Sequence, residues 1–165
     1  MAEPLLIMRH GQAAAGSPDP DRRLSEQGQR EVARMGAWLA TRGDLDLTRL
    51  RLLSSPYRRA RQTADRVAEA LGLGVETLAL ITPDDPPDAV VDWLLDQADD
   101  RPLMLVSHMP LVGALTGLLV DGRADRGLGF ATGAIAELHA DVRAAGCARL
   151  TRVTAPADVS DQEGM

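Results

Sequence analysis

Hydrophobic residues in this chain fall into two alternating patterns, short unbroken runs and longer stretches with helical spacing. Pro4-Leu5-Leu6-Ile7-Met8 is a continuous apolar run, as expected of a strand buried on both faces. A loop rich in Gly, Pro and Asp follows, from Gly11 to Arg23. Ser25 then stands as the N-cap of a helix predicted to about Arg42, with Leu24, Gly28, Val32, Met35 and Leu39 along one side and Gly43 ending it. Leu50 to Leu53 reads as a second strand. Ser55-Pro56 offers an N-cap and a first-position proline for a helix that runs to Leu71 and stops at Gly72. Val75 to Leu78 is a weaker strand, Thr82 to Pro87 a proline-marked loop, and Asp88 to Ala98 a helix with Val91, Leu94 and Leu95 inward. Leu103 to Val106 is another buried strand, closed by Ser107-His108, and Pro110 to Val120 is an apolar helix. Ala134 to Val142 and Ala148 to Val153 are the arms of a hairpin with Ala145-Gly146 near the turn.

This alternation predicts an α/β fold, a three-layer α/β/α sandwich around a mostly parallel sheet. Residues 1–155 make one domain, and residues 156–165 are expected to be a polar, mobile tail. Ligands of such sheets bind beyond the carboxyl ends of the strands. Arg9-His10, Ser54-Ser55 and Ser107-His108 all fall at such ends, so three chain segments are expected to meet in one crevice.

Composition narrows the chemistry. With 165 residues, 45% hydrophobic, the chain can bury a proper core. Only Trp38, Trp93, Tyr57 and Phe130 are aromatic, so there is no platform for stacking nucleobases, and a net charge of −6 gives no field to steer nucleic acid. The lone Cys147 excludes an intramolecular disulfide and a multi-cysteine zinc site. No run resembles a signal peptide or a membrane span, and a cytoplasmic protein is expected. All 18 basic residues are arginine. That removes Schiff-base chemistry and the phosphate-binding lysine of a P-loop. Proton or phosphoryl chemistry near neutral pH is left to His10, His108 and His139.

His10 lies between Arg9 and Gly11, which lets the backbone turn sharply and approach a ligand. Arg59 lies in the first turns of its helix, close to the end that favours an anion, with Gln62 and Thr63 on its face. Arg58, Arg61 and Arg66 read as solvated surface. His108 precedes the Pro110 helix and also faces an anion-friendly terminus. A metal held by two histidines and an acid is disfavoured, because two arginines repel a cation and suit a phosphate. No metal and no cofactor are expected. His139 reads as an exposed strand residue.

Arg9-His10-Gly11, the segment Ser55 to Thr63 and Ser107-His108 resemble the three motifs of the histidine phosphatase superfamily, with the phosphoglycerate mutase-like fold. The similarity is greatest to the SixA-type phosphohistidine phosphatases. Ile7 to Gly11, Leu24-Ser25 with Gly28, Val106 to Gly113, and Thr132 with Ala134-Ile135-Ala136 all take part in it. The resemblance implies that His10 is the nucleophile and becomes phosphorylated, while Arg9, Arg59 and His108 hold the phosphoryl oxygens. Gly11, Arg22 and Met109 are implied to line the substrate site.

Two departures from the wider superfamily matter. Many relatives carry a glutamate after the third strand that protonates an alcohol leaving group; here Leu78 to Asp85 contains none. Asp84 or Asp85 could stand in, but solvated loop carboxylates are ionised at neutral pH and make poor acids. Second, the segment between Val75 and Leu103 has no room for a cap domain, so the pocket is expected to be open. Both features fit an enzyme acting on a phosphohistidine-bearing protein. A phosphatase or mutase for small phosphate esters, and an inactive phosphate-binding module, remain as alternatives.

Overall fold

Side chains of a strand alternate between faces, and in the β-strand Leu5–Arg9 (β1) this divides the core in two. Leu5 and Ile7 join one buried cluster, and Leu6 and Met8 join the other. The computed structural model describes residues 3–97 and 100–159. The remaining strands are β2 (Arg51–Ser54), β3 (Glu76–Thr77), β4 (Leu103–Ser107), β5 (Ile135–His139) and β6 (Arg149–Thr154). Together they form one sheet in the order β3-β2-β4-β1-β5-β6. The first four are parallel, β5 runs antiparallel to β1, and β6 runs antiparallel to β5.

Helices α1 (Glu26–Ala40) and α2 (Arg58–Leu71) cover the face of Leu6, Met8, Met104 and Val106. Helices α3 (Pro87–Asp96) and α4 (Leu111–Asp121) cover the face of Leu5, Ile7, Leu103 and Leu105. This is the three-layer, mostly parallel single domain expected. Each fully buried Leu or Ile contributes roughly 2 kcal/mol, and β1 and β4 are almost wholly buried, so the core fixes where their carboxyl ends emerge.

Several boundaries differ from expectation. Helix α1 stops at Ala40 with Thr41 as its C-cap, whose hydroxyl donates to Trp38 O at 2.7 Å; Arg42 and Gly43 lie beyond it. Helix α2 begins at Arg58 with Tyr57 at the cap, so Ser55-Pro56 does not open the helix. In α3 the buried residues are Val90, Val91 and Leu94, whereas Leu95 is 50% exposed. The expected end of that helix at Ala98 lies outside the described residues. His139 closes β5 half-buried rather than exposed. The polar tail expected from Pro156 is not what residues 156–159 form. Pro156–Asp158 forms a 3-10 turn whose Pro156 carbonyl accepts from Arg34, and Val159 packs into the α1/α2 core. Residues 160–165 lie outside the described residues.

Candidate active site

The adjacent strands β2, β4 and β1 end together, and backbone hydrogen bonds continue past them. His10 N donates to Ser107 O at 3.0 Å, and Ser55 N donates to Val106 O at 3.0 Å. These bonds bring His10 and His108 to an edge-to-face contact with ring centroids 5.0 Å apart. Both rings are buried.

His10 is oriented by its own neighbour. Its Nδ1 lies 2.6 Å from Gly11 O, and a carbonyl oxygen only accepts, so the proton sits on Nδ1. That leaves the Nε2 lone pair directed away from the backbone, 3.3 Å from Arg59 Nε. Gly11 is held in turn, its N–H donating to Thr63 Oγ1 at 3.1 Å, while the Thr63 hydroxyl donates to Arg59 O at 2.8 Å. A Cβ on Gly11 would stand 2.8 Å from both Gly28 O and Val32 Cγ1, which is why only glycine fits there.

Arg59 is the second residue of α2, where the helix dipole favours an anion. Its guanidinium is buried and braced by the turn at Asp19: Nη1 donates to Asp19 O at 2.8 Å and Nη2 to Asp19 Oδ2 at 3.1 Å. The bracing takes the outer end of the fork and leaves Nε toward His10. Arg22 donates to the same carboxylate at 3.1 Å and to Ala14 O at 3.0 Å. Partial burial opposes ionisation of Asp19, but hydrogen bonds from Arg22 and Arg59 outweigh it and lower its pKa. Tyr57 walls the site, edge-on to the His108 ring at 5.0 Å, with the Arg59 guanidinium carbon 5.2 Å from its ring centroid.

Arg9 donates from Nη1 to Phe130 O at 2.8 Å. Among the described residues, two buried side-chain polar atoms have no hydrogen-bond partner, Arg9 Nε and His108 Nδ1. Buried polar groups are normally paired, so two orphans on Arg9 and His108, the chain neighbour and the ring neighbour of His10, mark a place for a polar ligand.

Burial and the surrounding positive charge keep both histidines neutral. For His10 burial dominates, opposed by the bond to Gly11 O and reinforced by Arg59, Arg9 and Arg22, and its pKa falls to about 4. For His108 burial again leads, with His10 and Arg59 adding to it, and the value falls to about 3. A neutral imidazole at pH 7 is a nucleophile; an imidazolium is not.

The profile of the histidine phosphatase superfamily, branch 1, matches residues 5–81. A phosphohistidine phosphatase SixA homolog of Haemophilus influenzae is 34% identical over 128 residues, covering 72% of this chain and 78% of that one. Phosphohistidine phosphatase SixA of Escherichia coli is 34% identical over 143 residues, covering 83% and 85%. The chain belongs to the histidine phosphatase superfamily. A solved structure of the protein histidine phosphatase SixA complexed with tungstate superposes with a TM-score of 0.81 at 30% identity, covering 94% of this chain and 98% of that one.

In this histidine phosphatase the structure gathers Arg9, His10, Gly11, Arg59 and His108 at the carboxyl ends of β1, β2 and β4. Arg22 reaches the rim through Asp19 and adds to the positive field on His10. Met109 is half-buried beside His108 in the chain, with its thioether turned against Gly113. Asp85 is engaged elsewhere: its Oδ2 accepts from Thr82 N at 2.8 Å and from the Thr82 hydroxyl, closing its own loop. Asp84 is exposed. Sequence reasoning missed Asp19, Tyr57 and the contact between Ser55 and His108. The Asp19 loop carries no periodicity to read. Ser55 carries the Ser-Pro signature of a helix cap, which hides its bond to His108.

Proposed function

We propose that this chain hydrolyses phosphohistidine on a protein substrate, with His10 as the nucleophile and Arg9, Arg59 and His108 as the phosphoryl cradle. The observation that carries the assignment is the neutral His10, its Nε2 lone pair free of the backbone and facing Arg59, with unpartnered buried polar atoms on its neighbours Arg9 and His108. Its relatives named as phosphohistidine phosphatases support the substrate class, and a match that binds tungstate, a tetrahedral oxyanion, supports the cradle.

In the first step Nε2 attacks phosphorus in line, the new P–N bond forms, and the bond to the substrate imidazole breaks. The leaving imidazole departs neutral when its other ring nitrogen carries a proton. Water then attacks the phosphoryl group on His10, releasing inorganic phosphate and restoring the neutral ring. Charge spreading over the equatorial oxygens is met by the guanidiniums, which need no rearrangement in a buried site. Gly11, Arg22 and Met109 line the approach. The positive charge comes from arginine, so the proposed reaction needs no metal or cofactor.

The substrate is a protein rather than nucleic acid, in keeping with the net charge of −6 and the scarcity of aromatics. The cytoplasm is the compartment proposed; no helix among the described residues is long and apolar enough to cross a membrane. The test is to quench the enzyme during turnover and map the phosphate. Acid-labile, base-stable phosphate on His10, with turnover abolished in His10→Ala, is expected. A His10→Ala protein retaining a tenth of wild-type turnover would show that another group is the nucleophile.

A further inference from the structure

Ser55 follows β2 directly and is wholly buried, and its Oγ lies 2.7 Å from His108 Nε2. A hydroxyl has one proton and two lone pairs. One lone pair of Ser55 Oγ already accepts Tyr57 N–H at 3.2 Å. If His108 Nε2 carried the ring proton and donated it, Ser55 would keep a buried O–H with no other acceptor among its hydrogen bonds. Nδ1 would then turn a lone pair toward a site that receives anionic oxygens. The opposite arrangement satisfies every group: Ser55 O–H donates to Nε2, the ring proton sits on Nδ1, and the buried, unpartnered Nδ1–H becomes a donor.

We propose that Ser55 is a positioning residue that fixes His108 in the Nδ1–H tautomer, so that His108 serves the phosphoryl group as a neutral hydrogen-bond donor. The idea rests on the assignment of His108 to the cradle. The neutrality of the ring, which burial enforces, makes the choice of tautomer consequential, since an imidazolium would donate from both nitrogens whatever Ser55 did. Tyr57 takes part from both sides. Its backbone N–H takes one Ser55 lone pair, which leaves the Ser55 O–H as the group that still needs an acceptor, and its ring packs edge-on against the His108 ring. Two histidines would thereby be held in the same tautomer for opposite purposes. His10 gives its Nδ1–H to Gly11 and offers Nε2 as nucleophile, whereas His108 receives at Nε2 and offers Nδ1–H as donor.

The test is nitrogen-15 NMR of the imidazole rings in the full-length free enzyme at neutral pH, with assignments from His10→Asn and His108→Gln. The expected spectrum shows His108 protonated at Nδ1 and unprotonated at Nε2. Ser55→Ala should mix or reverse the His108 tautomer, leave that of His10 in place, and lower kcat/KM about ten-fold, the scale of one hydrogen bond. Ser55→Cys, which keeps a weak donor, should lie between. A wild-type His108 protonated at Nε2 overturns the proposal without touching the nucleophile assignment, and needs no variant to fold. A Ser55→Ala enzyme with an unchanged His108 tautomer overturns it as well. If the tautomers behave as expected but His108→Gln keeps full activity, the placing of His108 in the cradle is what fails.

Discussion

Gly28 is where helix α1 packs against the loop after His10, and replacing it with alanine tests that support directly. A Cβ at Gly28 would stand 2.1 Å from Gln12 O and 3.0 Å from Gln12 C and N. Ordinary contact begins at 3.4 Å, so the two backbones must part by 1.3 Å (3.4 minus 2.1). Gln12 is two residues from His10. Its carbonyl accepts Ser25 N at 2.9 Å, and its N–H donates to Glu31 Oε1 at 2.8 Å, so the shift also strains bonds that pin the loop to α1. Overpacking of this kind costs about 1–3 kcal/mol, against roughly 1 kcal/mol regained from replacing glycine inside a helix. A net loss near 1 kcal/mol corresponds to a fall in Tm of about 2–4 °C for a chain of this size.

The effect on catalysis should be larger than that on stability, because misplacing a reacting group by about 1 Å costs on the order of a hundred-fold in rate. Gly36→Ala is the control on the same helix. Its Cβ would meet the Ala70 Cβ at 3.2 Å, far from the His10 loop, and should leave kcat/KM within two-fold. The assay is kcat/KM on a phosphohistidine peptide for both variants, with thermal unfolding alongside. If Gly28→Ala turns over as fast as Gly36→Ala, the loop tolerates the displacement and the coupling from α1 to His10 is refuted.

Arg59→Lys should be nearly as damaging as Arg59→Ala, because an ammonium cannot reach the Asp19 carbonyl and carboxylate while still facing His10; steady-state kinetics check this, and retention of most activity would reduce Arg59 to a distant charge. Stability should fall with acid: His10 and His108 have folded pKa values of about 4 and about 3, against 6.5 unfolded, so below pH 6.5 the unfolded chain binds more protons. Their contribution is full above pH 6.5 and is lost as pH falls towards 4, roughly 3 kcal/mol for His10 alone at 1.36 kcal/mol per unit; denaturant unfolding of wild type and His108→Gln across this range should show a shallower slope in the variant. Phosphohistidine should be cleaved at least about a hundred-fold faster than unactivated esters such as phosphoserine, the value of a well-placed acid, and neither Asp84→Asn nor Asp85→Asn should change that ratio. Fast ester turnover that collapses in either variant would establish a working acid.

The architecture was legible because β1 and β4 are apolar on both faces and the helices between them keep a clear stripe. Burial alone specifies such elements, and the strand ends that carry Arg9, His10 and His108 follow from it. What could not be read was set by contacts between distant segments. Leu95 is apolar but turns outward because Val90, Val91 and Leu94 already fill the α3 stripe. Ser55 has the local signature of a cap, yet the chain turns once more before α2 starts, and the hydroxyl goes to a histidine 53 residues away. Asp19 lies in a loop without periodicity, and only its bonds to Arg59 and Arg22 give it a part in the site.

The carboxylates near the site bear on which leaving groups it can serve. Asp19 is the acidic side chain in contact with Arg59, and hydrogen bonds from two arginines hold it ionised, so it is a poor proton donor at neutral pH. Asp85, the candidate acid by position in the chain, spends one oxygen on Thr82. Glu31 accepts from Gln12 N and from the Thr132 hydroxyl, bracing the loops on either side of Arg9. Each of these carboxylates therefore holds a loop or an arginine in place, and protonating any of them would weaken that hold. An alkoxide would have to leave such a site unassisted. An imidazole brings its own near-neutral pKa and needs far less help, so on the proposed assignment the expected preference is for phosphorus–nitrogen substrates.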